Sequence, residues 1–454
     1  MSNEVKKESK ELDMDKKKFI KPDGGYGWVI LFVAFSISFV MDGCMYSFGI
    51  VLDEIKNHYN ATQEVANLIP SLNTGFLFLS GPVSAALAKQ FGCRPVVMAG
   101  SLIFSLMYFV SPYLPSIYLM KFSFGIIGDA IFFSKGISFG CAYLTNFIIL
   151  VDYFDRRLGF ANGLTMSGSG LGNFAYAPLT KFLIEDFKWQ NTMLILGGTI
   201  FLCTFLGALL RPIEHYYKKV NQNEDLDETS DEKKEEKNVS SVVKNLLKEM
   251  TNFKILKLNF SFLLITLSNF FIFFVYFIPF IYIPIRAKDL QIAQFAWLIS
   301  IIGIVNIPMR IIFGIISDRK IIRPIHMNTL CIFFASGSMY SYFYLATFYH
   351  QAVATAVFGM AAAGINSLTT PYLVDIVGSE AFANANGILN MFRGLSCIFG
   401  PFIAGFLSEK LKSNLYAFVF CGTSLALAGI LSFFVSIITT KSEKNTKSLE
   451  LVKI

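Results

Sequence analysis

Charged residues are scarce in this chain of 454 residues, where Asp, Glu, Lys and Arg make up only 16%. Soluble globular proteins carry roughly a quarter of charged residues. Hydrophobic residues reach 54%, and apolar runs long enough to cross a bilayer as helices recur along the chain. The scarcity of charge therefore excludes an ordinary soluble protein and predicts an all-α membrane protein with many transmembrane helices.

Residues for metal or cofactor chemistry are also few. The chain has four histidines, and its seven cysteines lie mostly within apolar runs, without CxxC or Cys/His spacing. The glycine-rich run around Gly168 lies in an apolar helix and does not follow a strand, which argues against a nucleotide-binding loop. We expect no enzyme active site, no cofactor and no metal. The net charge of +7 lies mostly in tails and loops and gives no case for nucleic acid.

The apolar runs form twelve candidate spans in two groups of six. Residues 211–258, between the groups, are too polar to cross a bilayer, and their acidic, lysine-rich core is typical of disorder. We predict a tail at 1–27, a six-helix half at 28–210, a second half at 259–438 and a tail at 439–454. The spans are expected at 28–51, 66–88, 95–112, 117–150, 159–180, 191–210, 259–283, 294–316, 324–346, 351–373, 383–406 and 415–438.

An even number of spans places both termini on one side of the membrane. The lysines of residues 5–21, the pair Arg156-Arg157 and the basic residues 319–323 fall on that side, which predicts that it is cytoplasmic. The sequon Asn60-Ala61-Thr62 lies in the first opposite loop and agrees with this orientation. The opposite loops also carry some basic residues. We expect an integral protein of the plasma membrane, in contact with lipid, with cytoplasmic termini.

The run 117–150 is too long for one span, which needs about 17–25 residues. It carries Asp129 and Lys135 within its apolar stretch. The helix is either broken there or interrupted by an insertion, and the excess length favours an insertion at about residues 127–137.

Arg310 is the single cation within the predicted eighth span. A cation at membrane depth costs roughly 2.5–3.5 kcal/mol on insertion scales, so it normally faces a protein interior and has a partner. Asn306 lies four residues earlier on the same helical face, with Pro308 between them. Arg310 therefore predicts an anion site, and the alternative is a structural ion pair with an intramembrane acid such as Asp42.

Two motifs point to a family. Lys21-Pro-Asp-Gly-Gly-Tyr-Gly-Trp28 precedes the first span, where Asp23 can cap free amides of the helix. Tyr153-Phe-Asp-Arg-Arg157, followed by Phe160-Ala-Asn-Gly163, precedes the fifth span, whose glycines and serines at 163–172 allow close helix packing at a moving interface. Together they resemble the signatures of the monocarboxylate transporter family, and the resemblance extends over nearly the whole membrane domain.

The resemblance implies a major facilitator fold, with the substrate site between the two halves, and movement of monocarboxylates or related organic anions. For some members it also implies an accessory single-span glycoprotein. Lactate-type members carry an aspartate four residues before the span-eight arginine, and a lysine on span one. Here Asn306 and Tyr46 stand at those positions, so the cation Arg310 is kept while two groups of the proton relay are missing.

Other polar residues within the spans are candidates for contact with a substrate or with one another. Asp42 is either a replacement proton carrier or an ion-pair partner of Arg310 or Arg393. Beside Arg310, the candidates for substrate contact are Asn306, Tyr46, Arg393 and Asn366. The alternative for Arg393 is packing or pairing inside the second half, and the alternative for Asn366 is an interhelical hydrogen bond. The phenylalanine-rich run of the seventh span favours a lipid-facing wall.

Salt bridges of an inner gate are expected from Arg156, Arg157, Asp318 and Arg319.

The sequence thus predicts a secondary transporter of organic anions that works by alternating access, with Arg310 binding the carboxylate. Proton coupling would require Asp42. The alternatives are an aromatic amino acid or hormone facilitator without proton coupling, and a sensor or scaffold that keeps the fold without transporting.

Overall fold

The computed structural model describes residues 21–59, 72–115, 135–213, 254–292, 295–344 and 346–452. Described residues are almost entirely helical, which confirms the all-α class. In the first half, residues 72–79 are helical and are followed by α2. The first-half helices are α1 (Gly27–His58), α2 (Gly81–Phe91), α3 (Cys93–Val110), α4 (Lys135–Tyr153) and α5 (Leu158–Ala208).

The second half begins with the short α6 (Lys254–Leu258). It continues with α7 (Phe260–Val275), α8 (Ile278–Asp289), α9 (Phe295–Asp318), α10 (Pro324–Ser341), α11 (Phe348–Ser367), α12 (Thr369–Val377), α13 (Phe382–Lys410) and α14 (Leu415–Val452). The last helix runs beyond residue 438, so part of the predicted tail is helical.

Nine helical stretches of the described chain are long and apolar enough to cross a membrane. One of them, α5, has 51 residues, which is enough for two spans of about 20 residues each. Lys188 interrupts it with a non-helical φ of 64°, between the predicted fifth and sixth spans. Helical residues 72–91 and α10 lie at the predicted second and ninth spans.

The overlong run 117–150 is only partly described. Its described part is α4, a helix of 19 residues that is almost wholly buried. Asp129 and most of the expected insertion at 127–137 lie outside the described residues. Lys135 begins the helix, donates to Ser111 Oγ at 3.2 Å, and its Nζ lies 3.8 Å from the centroid of the Tyr108 ring.

The two halves meet along two helix pairs, α5 with α9 and α2 with α13. Glycines allow the close approach, because a Cβ at Gly163 would overlap the carbonyl oxygen of Arg310, and one at Gly81 would overlap that of Gly387. The prediction of a glycine-lined interface between halves is therefore confirmed for Gly163. Gly168 and Gly172 instead face α1 within the first half.

The near face of the bundle, where the chain enters α1 at Gly27, is closed by a carboxylate from the second half. Asp318, the last residue of α9, accepts hydrogen bonds from the backbone amides of Gly159 (2.6 Å) and Phe160 (2.7 Å) in the first turn of α5. Free amides and the helix dipole make this helix start a favourable site for an anion. Asp318 thus holds the halves together at the near face.

The expected gate of salt bridges stays a prediction. The Asp318 carboxylate binds backbone amides, whereas Arg156, Arg157 and Arg319 are exposed at the near face. The guanidinium of Arg157 lies 5.6 Å from the centroid of the Trp28 ring.

Asp23 likewise binds a different helix from the one expected. Its carboxylate accepts from the amides of residues 155–157, ahead of α5, and does not cap α1. Two carboxylates, one from each half, therefore bind the amides at the start of α5.

Replacing Gly172 with alanine should destabilise the protein, because the new Cβ would overlap the carbonyl oxygen of Phe39. Overpacking of this kind costs roughly 1–3 kcal/mol. Gly198→Ala is the matched control, since it lies on the same helix with open space around it and should be neutral or stabilising. Thermal unfolding in detergent measures both, and equal midpoints would contradict the proposed packing.

Replacing Asp318 with alanine should expose the amides at the start of α5. Loss of a charged acceptor from buried donors costs roughly 1–3 kcal/mol, so hydrogen exchange in peptides covering residues 158–164 should rise about tenfold or more. Asp155→Ala, an exposed carboxylate ahead of the same helix, is the control. An equal rise for Arg157→Gln would instead favour the salt-bridge gate.

Candidate functional site

A small cavity of about 70 Å³ lies between the two halves, in the middle of the bundle. Helices of both halves line it, with α1, α4 and α5 on one side and α7, α9, α11, α12 and α13 on the other. This is far below the roughly 300–1,000 Å³ of small-molecule pockets, so a bound organic acid would require the halves to move apart. The lining residues are Tyr46, Phe78, Tyr143, Leu144, Phe147, Met166, Ser169, Phe273, Tyr276, Phe277, Arg310, Asn366, Thr369, Thr370, Asn386, Asn390 and Arg393.

Arg310 projects from α9 across the boundary between the halves. Its side chain is 8% exposed, and Nη1 donates to the backbone carbonyl of Met166 on α5. The Nε–H is buried and has no hydrogen-bond partner among the described residues. A guanidinium has five N–H donors, so Arg310 lies in the cavity wall as a buried cation with donors left for an acceptor.

Arg393 is the second cation of the cavity wall, and it is held in place. Its Nε and Nη2 donate to Asn269 Oδ1 at 3.0 and 2.5 Å, Nη2 also donates to Thr369 at 3.0 Å, and Nη1 to Asn390 at 3.4 Å. The guanidinium also stacks 4.4 Å from the centroid of the Phe273 ring. Each of these partners is neutral, so they fix the guanidinium without cancelling its charge.

Asp42 lies behind the first-half wall of the cavity and is 4% exposed. Its hydrogen-bond partners are the hydroxyls of Ser169 and Tyr143, two residues that line the cavity, and the charge of Arg310 acts on it. Hydroxyls are thus the hydrogen-bond partners of the carboxylate, and the two alternatives for Asp42, proton carrier and ion-pair partner, both stay predictions.

Of the remaining predicted contact residues, two line the cavity and one does not. Tyr46 and Asn366 line the cavity, and Asn366 Nδ2 donates to the Tyr276 hydroxyl at 2.7 Å. Asn306 does not line it, because its Nδ2 donates to the Gly359 carbonyl at 3.0 Å and thereby joins α9 to α11. The substrate contact expected of Asn306 stays a prediction, and in this structure its amide joins α9 to α11.

Several cavity residues were missed by the sequence reasoning. The run of the seventh span was interpreted as a lipid-facing wall, yet Phe273, Tyr276 and Phe277 line the cavity. Their i, i+3, i+4 spacing places them on one helical face and was an available signal. Tyr143 and Ser169 carried no comparable signal, since a hydroxyl within a span is more often an interhelical hydrogen bond.

Metal binding by clustered His, Cys, Asp or Glu has no support from side-chain geometry in the described residues. They bring no three or more His, Cys, Asp or Glu side chains together in a way that could hold a metal ion. What the cavity offers is two arginines, amides, hydroxyls and aromatic rings, an arrangement that binds anions by charge-assisted hydrogen bonds.

Comparison with known structures supports the fold. The chain resembles the proton:xylose symporter XylE bound to 6-bromo-6-deoxy-D-glucose, with a TM-score of 0.67 and 13% identity over 90% of this chain and 95% of the other. It also resembles the human organic anion transporter MFSD10, with a TM-score of 0.60 and 13% identity over 90% and 100%. At this identity the likeness establishes the fold alone.

Sequence comparison supports the family. The model of the Major Facilitator Superfamily matches residues 31–349 and 327–453. Monocarboxylate transporter 4 of Gallus gallus is 27% identical over 443 residues, covering 94% of this chain and 86% of that protein. Monocarboxylate transporter 1 of Mus musculus is 28% identical over 434 residues, covering 91% and 85%.

These relatives are named as transporters, and the apolar helices place the chain in a membrane. The chain is therefore an integral membrane protein and a secondary transporter, not an enzyme. It belongs to the major facilitator superfamily, as a divergent member of its monocarboxylate transporter family.

Proposed function

We propose that the chain moves monocarboxylates or related organic anions across a membrane, and that Arg310 binds the carboxylate. The observation that carries this is a guanidinium buried between the halves, with an Nε–H that has no partner in the described chain. A buried donor without an acceptor is costly. A carboxylate entering the cavity would supply both the acceptor and the counter-charge.

Transport would follow from motion of one half against the other. Arg310 hydrogen-bonds to Met166 of the first half, and Asp318 binds the start of α5, so α9 contacts α5 both at the cavity and at the near face. An anion that competes with the Met166 carbonyl for Arg310 weakens one of these contacts. Differential affinity for the two arrangements would then shift their population, as alternating access requires.

Transport without obligatory proton coupling agrees best with the residues at and behind the cavity wall. Asn306, at the position of the lactate-type aspartate, cannot take up a proton and is engaged with Gly359. Among the described residues, Asp42 is the acid next to the residues that line the cavity, so we assign any coupling to it. Plasma-membrane location, cytoplasmic termini and dependence on an accessory single-span glycoprotein belong to this proposal as family-based expectations.

A second candidate is a facilitator for aromatic amino acids or hormones. Seven of the seventeen lining residues are aromatic, contributed by α1, α4, α7, the turn between α7 and α8, and the helical residues 72–79. Aromatic rings contribute large apolar contact areas and favourable ring–ring geometries. Within the proposed organic-anion function, these rings favour a substrate with an aromatic body over a small acid such as lactate.

Arg310→Gln should reduce saturable uptake about a hundredfold, since truncating one member of a buried charge pair costs roughly 2–5 kcal/mol. Uptake is measured in proteoliposomes with labelled lactate, pyruvate, longer keto acids and aromatic amino acids. Lys257→Gln, which removes an exposed cation from α6, is the control for loss of charge. Unchanged uptake by folded Arg310→Gln would exclude the assigned role.

An inward proton gradient should leave wild-type uptake nearly unchanged, because Asn306 cannot carry a proton. The same proteoliposomes are compared with and without the gradient, beside Asp42→Asn. Stimulation in wild type that disappears in Asp42→Asn would contradict uncoupled carriage and identify Asp42 as the proton site.

A further inference from the structure

Three side chains on adjoining helices of the first half are buried with polar atoms that have no hydrogen-bond partner among the described residues. The atoms are Ser38 Oγ on α1, Thr165 Oγ1 on α5, and both Oδ1 and Nδ2 of Asn146 on α4. All three side chains are 0% exposed. Native proteins leave few buried polar groups unpaired, and each such group calls for a bound water or ion. We refer to these three residues as the polar layer.

The two hydroxyls of the polar layer differ from others on the same helices. A hydroxyl within a helix commonly donates to a carbonyl one turn earlier. Ser36 on α1 makes this bond at 2.8 Å, and Thr192 on α5 makes it at 2.9 Å. Ser38 and Thr165 make no such bond. Their oxygen atoms are therefore available to a ligand.

Helical spacing places the polar layer beside the carboxylate of Asp42, whose hydrogen-bond partners are the hydroxyls of Ser169 and Tyr143. Each member of the layer lies three or four residues from one of these groups on its own helix, and therefore on the same helical face. Because α1 and α5 begin at the near face and α4 ends there, each of these steps leads one turn toward the near face. The polar layer and Asp42 thus share one cleft between α1, α4 and α5.

This cleft offers the ligand set of a small monovalent cation. Carboxylate, amide and hydroxyl oxygens are ligands of hard cations, and a single carboxylate balances one positive charge. A carboxylate at membrane depth is costly without a counter-charge. Water would satisfy the polar layer without supplying that charge. The backbones of α1 and α5 are in close contact, since a Cβ at Gly168 would overlap the carbonyl oxygen of Phe35, and this close packing favours Na⁺ over the larger K⁺.

We propose that Asp42 and the polar layer form a site for a small monovalent cation, Na⁺, with Asp42 as the charged ligand. The site is separate from the central cavity, because none of these four residues is among those that line it. The proposal rests on the organic-anion function above and deepens it, because it names the ion that accompanies the anion.

Arg310 couples the cation site to the substrate site. Its charge acts on Asp42 and opposes a cation there while the central cavity holds no anion. A carboxylate bound to Arg310 offsets this charge, so the cation binds more tightly when the substrate is present. By linkage, the substrate then binds more tightly by the same factor when the cation is present.

The test uses Na⁺ itself as the probe, on the full chain at neutral pH. Thermal unfolding in detergent is measured in NaCl, KCl or choline chloride at equal ionic strength, which reports on the site without any substrate. Uptake of the same labelled carboxylates is then measured in proteoliposomes in the three salts. The variants are Asp42→Asn, Thr165→Val and Thr165→Ser. Thr180→Val is the matched control, because Thr180 carries a buried, unpartnered hydroxyl on α5 outside the polar layer.

Na⁺ should raise the unfolding midpoint of the wild type above its values in K⁺ and choline, and it should lower the KM for the anion. Asp42→Asn should abolish both effects. Thr165→Val should raise the Na⁺ concentration for half of the effect about tenfold or more. Thr165→Ser, which keeps the oxygen, and Thr180→Val should stay within a few-fold of the wild type. This concentration is measured within one preparation, so it does not depend on the yield of folded protein.

Equal midpoints in the three salts would overturn the inference and assign the polar layer to water, and an Na⁺ effect that persists in Asp42→Asn would overturn the assigned ligand. Uptake that responds to a proton gradient and not to Na⁺ would overturn the coupling. Absence of all uptake in folded protein whose midpoint still responds to Na⁺ would support the cation site and overturn the proposed function instead.

Discussion

A guanidinium in the interior of a membrane protein must find acceptors, and this requirement organises the centre of the molecule. Arg310 satisfies it in part through the Met166 carbonyl of the opposite half, and its Nε–H stays without a partner in the described chain. A full set of acceptors from the protein would have fixed the cation as a structural element. Incomplete satisfaction is the observation on which the proposed binding of an anion rests.

The two arginines of the cavity illustrate different uses of the same side chain. Arg393 is held by Asn269, Thr369 and Asn390 and by stacking on Phe273, so its position is fixed and its charge remains. Arg310 has fewer partners and joins the halves. One arginine therefore contributes a fixed charge to the cavity, and the other is the one to which the proposed function assigns the substrate carboxylate.

At the near face, too, a charged side chain binds backbone hydrogen-bonding groups, here at the start of a helix. Asp318 of the second half and Asp23 of the first bind free amides at and before the first turn of α5. An amide–carboxylate contact is directional and short, and separation of the halves breaks it completely. The glycine pairs of α5 and α9 allow the backbone approach that this contact needs.

The sequence by itself determined the class, the family and the buried cation, because charge scarcity, two local motifs and one arginine in an apolar run are all visible in a linear chain. Only the tertiary structure decided which neighbours these residues meet. Asn306 turns to Gly359, the Phe273 face turns inward, and Asp318 binds amides. The rotation and tilt of each helix depend on packing against other helices, and no local sequence pattern fixes them.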